Sequence, residues 1–216
     1  MEAPPPREMP VFPLGSVLLP GQLLPLQVFE PRYRVLLFDL RDEQPAEFVV
    51  ALIERGSEVG GGDVRTDVGC VARIERTEDL PGGRTLVLCV GTERMRIVEW
   101  LEEDPYPRAL VRPAPSQPDP AGGPPAELTG RADALARDVG DLAERLGAPA
   151  WPGPALSDDP DERLWQLALL APLGTLDRQR LLAEDDPVVR WERLAESLEE
   201  QRDLLEARLR WESSGD

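Results

Sequence analysis

The chain reads as an α+β protein: an antiparallel-rich β barrel of about six strands with one short helix, followed by a four-helix region. Three observations predict this. Residues 9–113 carry short runs of strand-like alternation around one helical stretch, without the strand-helix-strand rhythm of a parallel sheet. The next stretch, PAPSQPDPAGGPP over residues 113–125, is too rich in proline and glycine for helix or interior strand. Beyond it, apolar residues recur at alternating intervals of four and three, the period of helices with one apolar stripe. A sheet of many short strands hides its edges by closing, which favours a barrel.

Residues 1–8, MEAPPPRE, have little to bury and read as a disordered lead-in. Met9, Val11, Phe12 and Leu14 form a first strand, and Pro10 and Pro13, which lack the amide proton a central strand donates, predict an edge position. A Pro20-Gly21 turn follows. Leu24, Leu26 and Val28 then alternate with Pro25 and Gln27, as a half-buried second strand would. Pro31 suits the first position of a helix whose Tyr33, Leu36, Leu37 and Leu40 share a face, with Glu30 placed to pair with Arg34. Phe48 to Ile53 is an apolar run of strand length, and Gly56 to Asp67 is a glycine-rich polar loop. Its Gly60–Gly62 cluster resembles a phosphate cradle in composition alone, since no basic-capped helix follows. A hairpin comes next, turning at Pro81-Gly82-Gly83: Cys70, Ala72 and Ile74 alternate on one arm, and Leu86, Leu88 and Val90 alternate with Val87 and Cys89 on the other. Gly91 permits a bulge before Met95, Ile97 and Trp100, and Tyr106–Val111 supplies the last strand. The barrel is thus expected over 9–113 and a linker over 114–125.

The helical part is expected over 126–211, with a tail at 212–216. Its first helix carries Leu128, Ala132, Leu135, Val139, Leu142 and Leu146 and ends at Gly147 and Pro149. Asp161–Ala171 is apolar nearly all round, which predicts the buried centre of the bundle. Thr175 caps a short third helix through Ala183. Pro187 opens a long fourth one whose Trp191, Leu194, Ala195, Leu198, Leu205 and Leu209 share a face.

Composition narrows the chemistry. The net charge is −17, divided as −6 over residues 1–115 and −11 over 116–216, a field that repels phosphate backbones and disfavours nucleic acid and anionic membranes as partners. All 24 basic residues are arginine, so the chain has no histidine base, no Schiff-base or Walker lysine and no serine-lysine dyad. The residues show neither a signal-peptide core nor a run of about 18 apolar residues, and a cytoplasmic location is expected. The hairpin turn sets Cys70 near Arg94, not near Cys89, which predicts reduced thiols serving as small strand hydrophobes. The acidic groups Glu102-Glu103-Asp104, Asp158-Asp159 with Asp161, and Asp185-Asp186 lack calcium-loop spacing and stand beside prolines, where acids cap helices. No cofactor or metal is expected. A hydrolase using these carboxylates, alone or with a metal, is the alternative from another class.

The run FPLGSVLLPGQLLPLQVFEPRYRVLL resembles the opening of the LON substrate-binding domain, which precedes the ATPase and protease parts of Lon and also occurs alone. VGCVARIERTEDLPGGRTLVLCVGTERMRIVEW resembles that family's central hairpin, and PLGTLDRQRLLAEDDPVVRWERLAESLEEQ its helical part. The resemblance implies a PUA-like pseudobarrel and a non-enzymatic peptide- or protein-binding module without ATPase or protease, which delivers clients to a protease, acts as an adaptor in protein quality control or has a ligand of its own. Its partners would be unfolded or exposed hydrophobic peptide segments, or a partner protein. RNA binding, which a PUA-like fold also suggests, conflicts with the acidic charge. Val17, Leu18, Leu19, Leu23 and Leu24 flank the Pro-Gly turn, where polar residues are the rule; they form core or a hydrophobic site for another chain. Arg94 and Arg96, like Arg32 and Arg34, are placed either to fork onto a peptide carboxylate or to pair internally with Glu30, Glu93 or Glu99.

Overall fold

Strand alternation and helix periodicity produce six strands and five helices among the described residues, which in a computed structural model of the chain are 4–55, 64–116, 123–148 and 156–213. The expectations for residues 1–3, the core of the glycine loop at 56–63, the linker segment 117–122, Pro149 and the last three residues lie outside them. The chain divides into two compact units, Met1–Pro115 and Ser116–Asp216.

The first unit contains β1 (Arg7–Leu14), β2 (Leu23–Val28), α1 (Pro31–Leu40), β3 (Glu47–Arg55), β4 (Val64–Leu80), β5 (Arg84–Trp100) and β6 (Arg108–Pro113). Their order is β2-β5-β4-β3-β1-β6, and β5 also pairs with β6, so the sheet closes on itself with β2 added outside the ring. Every pairing is antiparallel except β1 with β3. The edge strand is therefore β2, and β1, expected at an edge for its prolines, is interior. It tolerates them because it pairs with β6 through Arg7–Pro10 and with β3 through Val11–Leu14. Each proline thus lies where only one neighbour competes for the missing amide proton. The same register brings Arg7 and Glu8 into the strand and out of the expected lead-in.

Closure gives the barrel a filled interior. Met9, Val11, Val49, Ala51, Val71, Met95, Ile97, Ala109 and Val111, all odd-numbered, form one buried cluster contributed by five strands. The even face of β1 and β3 buries a second layer beneath α1, where the Phe12 ring stacks on Tyr33 at 4.0 Å and tilts against Phe48 at 5.8 Å. Glu30 pairs with Arg32 at 3.1 Å, two residues on, and not with Arg34.

The hairpin holds the register that its turn predicts, with Cys70 opposite Arg94 and Cys89 opposite Ile74. Both thiols are free and buried, and burial pushes each up to about 12. In the unfolded chain they ionise near pH 9. The sign follows: stability is intact below pH 9 and falls as pH rises beyond it, because only the unfolded state releases the protons. Each thiol should contribute a slope of about 1.4 kcal/mol per pH unit. Urea midpoints measured from pH 8 to 10 should fall, and the double variant with Cys70→Ala and Cys89→Ala should show a flatter decline.

The second unit contains α2 (Ala126–Arg145), α3 (Pro160–Leu170), α4 (Thr175–Ala183) and α5 (Pro187–Ser213). The most extensive packing is between α2 and α5, whose buried residues include Ala132, Leu135, Ala136 and Val139, and Trp191, Leu194, Ala195 and Leu198. That corrects the expectation that α3 forms the centre: with 11 residues it buries Leu164, Trp165, Leu167 and Ala168, a shorter stripe than the 20- and 27-residue helices beside it can share. Gly174, not Thr175, stands at the N-cap of α4. Arg190 is fully buried; its Nε and Nη2 donate to the Glu184 carbonyl at 3.1 and 2.6 Å, and Nη1 donates to Ser116 Oγ at 3.0 Å. Among the described residues, no helix is long and apolar enough to cross a membrane.

Candidate functional site

The Gly15–Gln22 loop is the pivot of the site because it divides the candidate leucines. Leu19-Pro20-Gly21-Gln22 is a tight turn with Gly21 at φ 80°, closed by Gln22 N–H donating to the Leu19 carbonyl at 3.1 Å. Gln22 Oε1 accepts from Leu19 N–H at 3.1 Å. The loop is seated on β5: Gly21 N–H donates to the Gly91 carbonyl, and Gly91 N–H to the Gln22 carbonyl, each at 2.8 Å. The approach requires glycine at position 91, where a Cβ would stand 2.2 Å from the Leu19 carbonyl oxygen. Val17, Leu18 and Leu19 are consequently buried, and core is their place, not an exposed recognition surface.

Leu23 and Leu24, one turn later, belong to β2. There the register sets Leu23 opposite Val90, Pro25 opposite Leu88 and Gln27 opposite Leu86, all on one face, while Leu24 and Leu26 turn inward with Cys89 and Val87. The inward side chains of β5, Val87 and Cys89, are buried. Leu86, Leu88 and Val90 therefore turn outward, although the alternation alone suits burial of either set. Leu23 is 62% exposed and Leu86 40%. With Pro25 and the half-buried Leu88 and Val90, they make an apolar stripe across two strands on the outer face of the sheet. On β4 the same face continues as Arg73 opposite Val90 and Arg76 opposite Leu88, a charged margin whose guanidiniums lie 3.0 Å from Glu75 and 3.4 Å from Glu78.

A second apolar feature opens where β2 passes into α1. Phe12, Leu14, Leu26, Val28, Phe29 and Tyr33 line a hollow of about 210 Å³ together with Glu30, and Phe29 is 59% exposed. Exposed aromatic and leucine side chains in this density mark a surface that gains from contact with another apolar group.

The arginines serve other ends. Arg94 is buried and its Nη2 donates to the Ala114 carbonyl at 2.7 Å, fastening the chain beyond β6. Arg96 Nη1 lies 3.7 Å from Asp67, and Arg32 lies between Glu30 and Glu103. Arg65 completes that network, 2.6 Å from Glu103 with its guanidinium over the Trp100 ring. The structure thus does not gather Arg94 and Arg96 with the exposed leucines.

Several of the acids likewise have structural partners. Asp159 caps α3 by accepting from Glu162 N–H at 2.9 Å, and Asp186 accepts from Val188 and Val189 N–H at the start of α5. Asp39 accepts from the Tyr106 hydroxyl at 2.8 Å; burial, then that hydrogen bond, raises the phenol to about 12. Among the described residues, no group of three or more acids and cysteines is placed to hold a metal ion.

Comparison with known proteins agrees with the closed sheet and the trailing helices. The family model of the ATP-dependent protease La (LON) substrate-binding domain matches residues 8–200. Lon protease 2 of Herpetosiphon aurantiacus is 30% identical over 204 residues, which are 92% of this chain and 24% of that protein. The chain thus spans about a quarter of the length of such relatives. A crystal structure of a Lon N-terminal domain protein from Xanthomonas campestris superposes with a TM-score of 0.65 at 31% identity, covering 87% of this chain and 96% of that one. The N-terminal domain of the Mycobacterium avium complex Lon protease shares the fold at 16% identity, with a TM-score of 0.63 and coverage of 89% and 98%. On these matches, the chain belongs to the family of the ATP-dependent protease La (LON) substrate-binding domain.

Proposed function

We propose that the chain is a non-enzymatic capture module that holds unfolded or exposed hydrophobic segments of other proteins, as a cytoplasmic adaptor in protein quality control. The observation that supports this reading is the outward apolar stripe of Leu23, Pro25, Leu86, Leu88 and Val90 across the paired strands β2 and β5. An apolar client segment laid over it removes both surfaces from water, at about 25 cal/mol per Å² of apolar area buried. The sheet lends the stripe a fixed shape, so little ordering entropy opposes capture. Absence of lysine and histidine from the chain, and the capping and pairing duties of its acids, favour binding over catalysis.

The reading is tested with a reduced, carboxymethylated client protein carrying a fluorophore. Leu23→Asp and Leu86→Asp should each weaken its binding by about tenfold, since a carboxylate in the stripe must be desolvated beneath the client. Both positions are exposed in the free chain, so the melting temperature should stay within about 3 °C of the native value. Unchanged binding by both variants would overturn the proposal.

A further inference from the structure

We infer that the hollow between β2 and α1 is a socket for a single large apolar side chain of the captured segment, one of the size of phenylalanine. This deepens the capture reading and rests on it.

The floor of the socket is already built. Phe12, Leu14, Val28 and Tyr33 belong to the core, and the Phe12 ring is fixed by stacking on Tyr33 at 4.0 Å and by a tilted contact with Phe48 at 5.8 Å. These side chains were ordered on folding, so a group that enters loses its own freedom but costs them little of theirs. The walls differ from the floor. Phe29 is exposed and Leu26 half-buried, and both keep apolar surface that an entering group would remove from water.

Position decides what enters. Both faces of β2 contribute to the lining, Pro25 and Gln27 from the outer face and Leu26 and Val28 from the inner. The hollow therefore lies at the strand's far edge, which pairs with no other strand among the described residues. Pro25, lacking an N–H, weakens that edge as a template for a further strand, so burial of a side chain is what the edge has to offer. Pro25 also belongs to the outward stripe, which makes stripe and hollow one continuous apolar surface from Leu23 to Phe29. Those two residues are about 20 Å apart along an extended strand. A segment held on the stripe thus passes the hollow within a few residues.

Volume sets the size of the guest. An enclosed apolar cavity of about 150 Å³ admits one benzene ring. At about 210 Å³ the hollow takes a phenyl group, with no room for a second side chain beside it. The nine ring atoms of an indole, scaled from the six of benzene, would fill about 225 Å³, so part of a tryptophan stays outside. A charged side chain would give up its water against carbon walls. A second folded copy of the chain would need roughly 800 Å² of matched surface on each partner, far more than a hollow of this size supplies.

Fluorescein-labelled peptides test this. Each has a serine- and threonine-rich frame, a central Leu-Val-Leu for the stripe, and one guest residue repeated three positions to either side: alanine, phenylalanine, tryptophan or aspartate. The full chain should bind the phenylalanine peptide about tenfold more tightly than the alanine peptide, on the scale of burying one phenyl group. Aspartate should bind no better than alanine. Tryptophan should bind no more tightly than phenylalanine, whereas a flat apolar patch would reward its larger area. Phe29→Ala, an exposed change, should weaken the phenylalanine peptide about fivefold and leave the alanine peptide unchanged. Leu26→Phe, which fills the hollow from within, should remove the preference; should that variant not fold by circular dichroism, Phe29→Ala carries the test. Equal binding of the phenylalanine and alanine peptides, tryptophan binding more than about threefold tighter than phenylalanine, or an unchanged preference in Phe29→Ala would each overturn the inference. So would sedimentation showing a dimer that Phe29→Ala dissociates, which would give the hollow to a second copy. Client capture that Leu23→Asp weakens, accompanied by any of those results, defeats the socket alone. Failure of the native chain to capture the carboxymethylated client defeats the wider reading instead.

Discussion

Leu19→Asp should unfold the first unit or bring it close to unfolding. Leu19 is fully buried in the loop whose carbonyl lies against Gly91, so its replacement takes a carboxylate out of water. The change removes the transfer energy of a leucine and adds a buried, unpaired polar group. Together these cost about 5 kcal/mol or more, comparable with the whole stability of a small domain. By circular dichroism the melting temperature should drop by about 20 °C, or no cooperative transition should remain. Leu23→Asp, four residues away and mostly exposed, should leave the transition where it is. Such a contrast across a single turn checks the division of the loop into core and surface.

Arg190→Ala should strongly destabilise the second unit. The guanidinium closes the connection between α4 and α5 through two bonds to the Glu184 carbonyl, reaches Ser116 and lies 5.2 Å from the Trp165 ring centroid. It also stands 3.6 Å from Asp161 at the start of α3, though that carboxylate is half exposed and adds little. Truncation leaves a buried carbonyl without its donor and a cavity the length of the side chain, at a cost of about 3 to 4 kcal/mol. Arg190→Lys should lose about half as much, because a single ammonium cannot fork across the same carbonyl and still reach Ser116. Urea unfolding followed by tryptophan fluorescence reads the effect directly, since Trp165 and Trp191 are both buried in this unit. A loss of under about 1 kcal/mol for the alanine variant would contradict the assigned role.

How legible each part was depends on whether neighbouring residues differ in polarity. Helix α2 was readable because its apolar stripe alternates with charge and Gly147, at φ 89°, ends it. The hairpin register followed from one turn, which set Cys70 opposite Arg94. By contrast, Leu86 to Val90 is apolar on both faces, so alternation could not tell which set turns inward. The pairing with β2 decides that, and with it the stripe proposed to bind clients. Strand order was hidden for a related reason. Pro10 and Pro13 suggest an edge, and only the exchange of partners along β1, from β6 to β3, makes them compatible with an interior strand. Val17, Leu18 and Leu19 were ambiguous because their burial depends on Gly91, more than seventy residues further along the chain.

Photo-crosslinking tests the central claim most directly. A benzophenone side chain is introduced at position 23, on the outward stripe, and in a separate variant at position 176, where the native leucine is 67% exposed in the second unit. Both variants are irradiated with the reduced, carboxymethylated client. The account predicts a client adduct from position 23 that unlabelled client competes away, and little or none from position 176. Equal adducts at the two positions, or an adduct at 176 alone, would contradict it.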